Sequence, residues 1–308
     1  MMLTFIGMKK VGIKTVAKKE VKIGNKIISK EMERPYLIAE IGINHNGDIE
    51  IAKRLLDATF ACQWDCAKFQ KREPDIAVPE NQKSVMRDTP WGRMTYLEYK
   101  HHVEFGKEQY DYIDKYCREK PIDWTASPWD IPSLRFLLQY DIPFIKIASA
   151  TITNDDLLME TCKSGRPVVM STGMSTYEEI DHAVELLERF ADGNYILMHT
   201  NSCYPAAYED LNLKMINTLS ERYGCLVGYS GHEQDLHPTV AAAVMGAVII
   251  ERHVTVCHEM WGTDQAASLE VSGMALLRGR VESIRLMSGD GKKKLSEKEL
   301  IVREKLRK

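Results

Sequence analysis

One pattern recurs along this chain and constrains its fold more than any other: a short apolar run that closes on a polar cluster and leads into a helical stretch. Its fullest instance spans Cys225 to Asp264, where C-L-V-G-Y-S-G-H-E, a small-residue helix, V-I-I-E-R-H-V-T, a loop and W-G-T-D-Q-A-A-S-L-E follow in order. Two apolar runs around a helix of about ten residues are the signature of buried parallel strands joined by a crossover. The same form is read at Tyr36–Ile41, Cys66–Phe69, Asp123–Ala126, Phe144–Ile147, Val168–Met170 and Tyr195–Met198, and Val227–Ser230 and Val248–His253 complete eight units. Helices predicted between them, such as Glu104–Arg118, Leu134–Gln139 and Tyr177–Phe190, carry the apolar spacing of an outer ring.

Eight strand–helix units predict a single (β/α)8 TIM barrel, an architecture that takes about 250 residues. The 308 residues of this chain accommodate it, with a flank at each end. Val21 to Ile28 alternates around Gly24-Asn25 and reads as a β-hairpin expected to close the barrel bottom; residues 1–20 read as a further strand or as loose chain. Glu297–Arg307 reads as a charged helical tail. The expected division is therefore 1–34, 35–290 and 291–308. Between the second strand and the next helix, Lys71 to Lys100 is polar and rich in Pro, Arg and aromatic residues. A loop of that length is expected to be a functional lid or a mobile surface segment.

Composition narrows the function classes. The formal net charge of −3 argues against a nucleic-acid partner, and the basic residues gather at the two ends, where they read as solvated surface. Seven scattered cysteines give neither a disulfide framework nor a zinc ribbon, and a reducing cytoplasm is expected. No apolar run reaches a membrane span, so no membrane is implied.

In a parallel α/β barrel, ligands are held beyond the carboxyl ends of the strands. His232 and His253 follow neighbouring strands there, and two neutral imidazoles suit a divalent transition metal with positions left open for substrate oxygens. The competing reading is that each is a satisfied structural histidine. Lys68 and Lys146 interrupt apolar strands, and a lysine directed into a barrel needs an anionic partner. That partner is either a buried carboxylate, Glu40 or Asp264, or a bound phosphate or carboxylate shared with Ser149, Ser171 and Ser230. Ser171-Thr172-Gly173 before a helix suits a phosphate oxygen.

The segments I-A-E-I-G-I-N-H-N-G, A-K-F-Q, K-I-A-S, M-S-T-G-M-S, H-T-N-S-C-Y-P, G-Y-S-G-H, I-E-R-H-V-T and G-T-D-Q-A-A-S-L-E stand in the order and spacing of the sialic acid synthase family. The chain resembles N-acetylneuraminate synthases and their pseudaminic, legionaminic and spore-coat relatives from about Val21 to Lys308. The resemblance implies a metal-dependent condensation of phosphoenolpyruvate with an N-acylated amino-hexose such as N-acetylmannosamine, giving a nine-carbon 2-keto-3-deoxy acid and phosphate. It implies manganese on His232 and His253, with Mg2+ or Co2+ as alternatives. Lys68, Lys146, Ser149, Ser171, Ser202 and Ser230 would contact phosphoenolpyruvate, Tyr204 and Asp264 would face the sugar, and Glu40 or Asp264 would handle the proton or the water; Gln70, after the second strand, is expected to help hold the sugar. It also implies a homodimer.

At two points the chain departs from the family pattern. Thr151 stands where many members carry Glu, and the chain given ends before the small antifreeze-like domain that supplies an arginine to the sugar's acyl group. Arg87 or Arg93 of the Lys71–Lys100 segment is expected to take over that contact. Other readings are a synthase of a shorter 3-deoxy-ulosonic acid and a non-catalytic sugar-binding protein.

Overall fold

The computed structural model describes residues 17–307, so most of the extension expected over residues 1–20 lies outside the described part. The hairpin is β1 (Val21–Ile23) paired antiparallel with β2 (Lys26–Ile28). The barrel opens with β3 (Tyr36–Gly42) and β4 (Cys66–Lys71). A second hairpin, β5 (Met86–Thr89) and β6 (Gly92–Thr95), intervenes before β7 (Asp123–Pro128) and β8 (Ile145–Ile147). Then come β9 (Val168–Ser171), β10 (Tyr195–Thr200), β11 (Leu226–Gly231) and β12 (Ile249–His253). Eight of these form one parallel sheet in the order β7-β4-β3-β12-β11-β10-β9-β8. Its two ends meet where Thr125 Oγ1 of β7 donates to the Phe144 carbonyl beside β8 at 2.7 Å, which brings the sheet round into the expected TIM barrel.

A two-residue alternation organises everything inside it. In β3, Leu37, Ala39 and Ile41 face the outer helices, whereas Tyr36 and Ile38 belong to the cluster inside the barrel. The inner cluster also holds Cys66, Phe144, Val169, Ile196, Met198, Leu226 and Ile249, from the strands or the residue that leads into one. Val21, Ile23 and Ile28 join it, so the hairpin plugs the bottom as expected. Arg34 holds it there: its guanidinium donates to Asp65 Oδ1 at 2.9 Å, Lys26 pairs with the same carboxylate, and Asp65 Oδ2 accepts from the Leu37 amide at 2.7 Å. Burial would push the Asp65 carboxyl up, but the bonds from Arg34 and Lys26 outweigh it and hold it below the usual carboxylate range. A cavity of about 510 Å³ lies at this end, between Ser29–Pro35 and Val281–Gly289, away from the polar strand ends.

The outer helices follow local signals. Asp48 caps Ile49–Ala61 by accepting from the Glu50 amide at 2.8 Å, and Thr176 with Glu179 forms a capping box on Tyr177–Phe190. The helix expected at Leu134–Gln139 instead spans Ile131–Leu137, because Asp130 caps it and Pro132 occupies its first turn. The helix expected at Glu104–Arg118 starts after Gly106 and covers Lys107–Glu119. Val271–Ser288 closes the outer ring, and Glu297–Leu306 forms a helix exposed along its whole length. Among the described residues no helix is long and apolar enough to cross a membrane, and the seven cysteines are free thiols.

The Lys71–Lys100 segment is not a structureless loop. It folds as two single-turn helices, Pro74–Ala77 and Glu80–Lys83, the β5–β6 hairpin and the start of helix Tyr96–Val103. Ile43, Tyr99 and Val103 form a small core of their own against Met94, Tyr96 and Trp261. The segment is thereby packed onto the loop after β12, with Tyr99 and Trp261 edge to face at 5.1 Å and Trp91 and Trp261 at 5.7 Å.

Candidate active site

At the carboxyl end the inward stripe turns from apolar to polar within each strand. Glu40 follows Ile38 by two residues, Lys68 follows Cys66, Lys146 follows Phe144, Ser171 follows Val169 and Ser230 lies above Leu226. The barrel's inside is thus core below and site above. These side chains line a cavity of about 190 Å³ together with Gln70, Ser149, Ser202, Tyr204, His232 and His253. Of the residues singled out in the sequence, Asp264, Thr151, Arg87 and Arg93 lie outside this lining. Asp264 borders a neighbouring cavity of about 240 Å³ that shares Gln70, Trp129 and Tyr204 with the first.

The two lysines are buried and form one network. Lys68 Nζ lies 2.6 Å from Glu40 Oε2 and donates to Ser127 Oγ at 3.2 Å. Lys146 Nζ donates to Ser171 Oγ at 2.7 Å. Between them sits Glu251, whose Oε1 is 3.7 Å from Lys68 and 3.6 Å from Lys146 and accepts from Ser230 Oγ at 3.1 Å. The expected alternative of Asp264 as a lysine partner is corrected: Glu251 takes that place, and Asp264 stands 3.8 Å from His253 Nδ1. Glu251 could have been found from the alternation, since it precedes the inward-facing His253 by two residues. Thr200 and Ser127 follow by the same rule from Met198 and Thr125.

The carboxylates are driven apart. Burial raises both, but Lys146 and Lys68 outweigh it at Glu251, which stays well below the usual range. At Glu40 burial and the nearby Glu251 prevail over Lys68, so its carboxyl is pushed up. Lys68 is raised, the two carboxylates overcoming its burial, whereas burial lowers Lys146 despite Glu251. Glu40 is thereby the readier of the two to take up a proton and Glu251 the readier to keep its charge.

A hydroxyl cradle completes the wall. Ser149 Oγ accepts from the Gly173 amide at 3.1 Å, and a Cβ on Gly173 would stand 2.4 Å from Ser202 Oγ and 2.8 Å from Ser149 Oγ. Only glycine lets that backbone come so close to the two serines. Thr151 takes no part: its hydroxyl donates to the Ala148 carbonyl at 3.1 Å and borders neither cavity.

The histidines separate into two kinds. His45 stacks on Phe105 at 3.8 Å and His199 Nε2 meets the Leu211 carbonyl at 2.7 Å, which makes both structural. His232 and His253 instead face the cavity with ring centroids 5.3 Å apart, and Tyr204 packs 4.1 Å from His232. Burial lowers both, His232 to about 3, so each is a neutral imidazole near neutral pH. His232 Nδ1 bonds the Asn201 carbonyl, which leaves its Nε2 as a lone-pair donor, and His253 Nδ1 is buried without a hydrogen-bond partner. Two oriented neutral imidazoles fit a divalent ion. Among the described residues no group of three or more His, Cys, Asp or Glu converges to complete a protein-only site. Arg93, offered above for the acceptor, extends from the outer hairpin with most of its side chain in solvent, and Arg87 stacks on Tyr96 at 4.2 Å.

A sequence profile of the NeuB family matches residues 55–293. The N-acetylneuraminate-9-phosphate synthase of Homo sapiens is 36% identical over 276 residues, 88% of this chain and 76% of that one. The N,N'-diacetyllegionaminic acid synthase of Campylobacter jejuni is 31% identical over 87% of this chain and 81% of its own length. The crystal structure of the N-acetylneuraminic acid (sialic acid) synthetase from Leptospira borgpetersenii, in complex with citrate, aligns with a TM-score of 0.82 at 31% identity, covering 95% of this chain and 99% of that one. With a match over most of the barrel in sequence and in structure, the chain belongs to the NeuB family, the family of sialic, legionaminic and pseudaminic acid synthases.

Proposed function

We propose that this chain condenses phosphoenolpyruvate with an N-acylated amino-hexose in its aldehyde form, yielding a nine-carbon 2-keto-3-deoxy sugar acid and inorganic phosphate. The observation that carries the reading is the buried pair Lys68 and Lys146, set among Ser149, Ser171, Ser202 and Ser230 and opening beside two neutral imidazoles. Two ammonium groups and a ring of hydroxyls suit a small, highly charged anion, and the family's products are made by joining a pyruvyl unit to a sugar. His232 and His253 would hold a divalent ion, Mn2+ foremost, which when bound supplies a Lewis acid for the aldehyde oxygen.

The chain's own groups account for the remaining requirements. Lys68 and Lys146 neutralise the phosphate and carboxylate of phosphoenolpyruvate, and the serine hydroxyls, with Ser149 held by the Gly173 amide, orient them. As C3 of phosphoenolpyruvate bonds to the aldehyde carbon, the aldehyde oxygen needs a proton. Glu40, whose carboxyl is pushed up, is suited to give it. Positive charge then develops at C2, where Glu251 keeps a fixed negative charge. Water adds at C2, passing one proton to the Glu40 carboxylate that has just given one up; the tetrahedral adduct then collapses, the C2–O bond to phosphate breaks, the remaining hydroxyl proton leaves with the inorganic phosphate, and the ketone is left. Asp264 and Tyr204, beside the imidazoles, would accept from the sugar and stack against it.

Purified protein with phosphoenolpyruvate, Mn2+ and N-acetylmannosamine or its 6-phosphate should release phosphate and a product heavier than the acceptor by one pyruvyl unit, by mass spectrometry. Phosphate release without a new carbon–carbon product, or no turnover with any acetamido or diacetamido hexose, would refute the reading.

A further inference from the structure

The relatives' names divide on whether the product carries a phosphate, but the second cavity of this chain has a chemistry of its own. It is walled by Arg72, Lys100, Tyr96, Trp129, Tyr204, Thr263 and Asp264 among others, and it adjoins the lysine cavity through Gln70, Trp129 and Tyr204. Arg72 is only 3% exposed. Its guanidinium lies 4.7 Å over the Trp129 ring and one nitrogen bonds Gln70, yet Nη1 is buried with no partner, and so is Trp129 Nε1. Lys100 is 9% exposed, and among the described residues its ammonium has no hydrogen bond or salt bridge, only the faces of Tyr96 and Tyr99 at 5.1 and 5.2 Å.

Burial of unneutralised cations costs several kcal/mol each, so such an arrangement persists only where something else recovers the cost. Burial, then the charges of Arg72 and Arg87, push Lys100 down to about 7, and the nearby Asp264 and Glu104 only partly oppose them. Glu104 is already committed: its Oε1 accepts from Lys71 Nζ at 2.8 Å and from the Arg72 amide at 2.9 Å. Asp264 lies on the imidazole side, 3.8 Å from His253, with Thr263 Oγ1 donating to it at 2.7 Å. The cavity therefore has a carboxylate beside the imidazoles, the Trp129 indole N–H where it joins the lysine cavity, and on its wall two cations, Arg72 and Lys100, neither of them in a salt bridge through its side chain among the described residues.

We propose that Arg72, Lys100 and Trp129 form a subsite for a phosphate ester on the acceptor sugar, so that this chain takes a phosphorylated amino-hexose and forms a phosphorylated sugar acid. The inference rests on the condensation proposed above for the identity of the acceptor. Its anion-binding part stands on the cavity alone. A dianionic phosphate offers acceptors for Arg72 Nη1, Trp129 Nε1 and the Lys100 ammonium together, whereas an unphosphorylated hydroxyl leaves at least one of them bare.

The test compares N-acetylmannosamine 6-phosphate with N-acetylmannosamine, by kcat/KM with phosphoenolpyruvate and by calorimetric binding without it. The phosphorylated sugar should be favoured at least about a hundredfold, and Arg72→Gln or Lys100→Met should cut that ratio roughly tenfold or more, with Arg72→Lys recovering part of it. Binding at about pH 8 should also take up a proton, seen as a dependence of the heat on buffer ionisation enthalpy, because a phosphate raises Lys100 from its low value. Lys100→Met should abolish that uptake. Turnover of both sugars with equal efficiency overturns the subsite and leaves the condensation standing. Binding that depends on Arg72 without turnover supports the subsite and refutes the condensation. Absence of binding by the phosphorylated sugar, in a parent that retains its thermal transition, overturns the subsite as well.

Discussion

Glu251→Gln removes the negative charge on which both site lysines depend. Its Oε1 is 3.6 Å from Lys146 and 3.7 Å from Lys68. At an effective dielectric constant of about 20, each contact is worth about 4–5 kcal/mol before desolvation is counted. Glutamine costs less to bury than glutamate, and Glu40 remains 2.6 Å from Lys68, so the net loss is smaller than the sum. Breaking a buried pair from one side typically costs about 3–5 kcal/mol. For a protein of this size that lowers Tm by roughly 6–15 °C. The same substitution leaves Lys146 with Ser171 as its remaining partner, so an added anion should recover more in the variant than in the parent. Scanning calorimetry with and without inorganic phosphate measures both effects. The parent should gain modestly, and the variant should gain at least twice as many degrees. An unchanged Tm, or equal phosphate gains in the two proteins, would refute the view that Glu251 supplies the negative charge that holds the two lysines.

Lys68→Ala and Lys146→Ala should each weaken phosphoenolpyruvate binding roughly ten- to hundredfold, read by calorimetry, with a smaller effect on the acceptor; equal losses for both ligands would make the lysines structural. Chelation should abolish condensation and Mn2+ should restore it. His232→Ala and His253→Ala should bind no Mn2+ by equilibrium dialysis while keeping the parent's circular dichroism. Asp65 has a folded pKa held below its unfolded value, so its share of stability is full above roughly pH 4 and is lost as pH falls through the lower folded value. Asp65→Asn should therefore destabilise at neutral pH and flatten the acid limb of the Tm profile, and an unaltered acid limb would count against the bottom anchor.

The barrel was legible because each inner strand is a short run of buried residues with turn or cap residues at both ends, and Asp48 and Thr176 announce their helices in place. His232, His253, Lys68 and Lys146 stood out for a related reason, as polar groups where an apolar stripe continues. Glu251 escaped because it sits next to Arg252, and adjacent opposite charges in I-I-E-R-H suggest one surface pair. The strand separates them instead: Glu251 points into the barrel, while Arg252 points out and meets Glu233 at 3.2 Å. The 71–103 region escaped for another reason. Its elements are four to eight residues long, too short to show a period, and their packing depends on Trp261, far along the chain.

With Val21, Ile23 and Ile28 filling the lower barrel, the site is a vessel with one mouth. Whatever rests at the level of Lys68 and Lys146 lies beneath whatever rests against Asp264, Arg72 and Lys100, residues that follow the strands. For the condensation proposed above, this geometry implies a sequence of arrivals: the enol phosphate enters before the sugar, and a sugar that enters first blocks the way. In steady state an unreactive acceptor analogue should be competitive with the acceptor and of mixed type against phosphoenolpyruvate, because it occupies both the phosphoenolpyruvate complex and, as a blocking ligand, the empty site; high acceptor concentrations should slow turnover until phosphoenolpyruvate is raised. A plug at one end of a barrel thus sets the order of a reaction at the other.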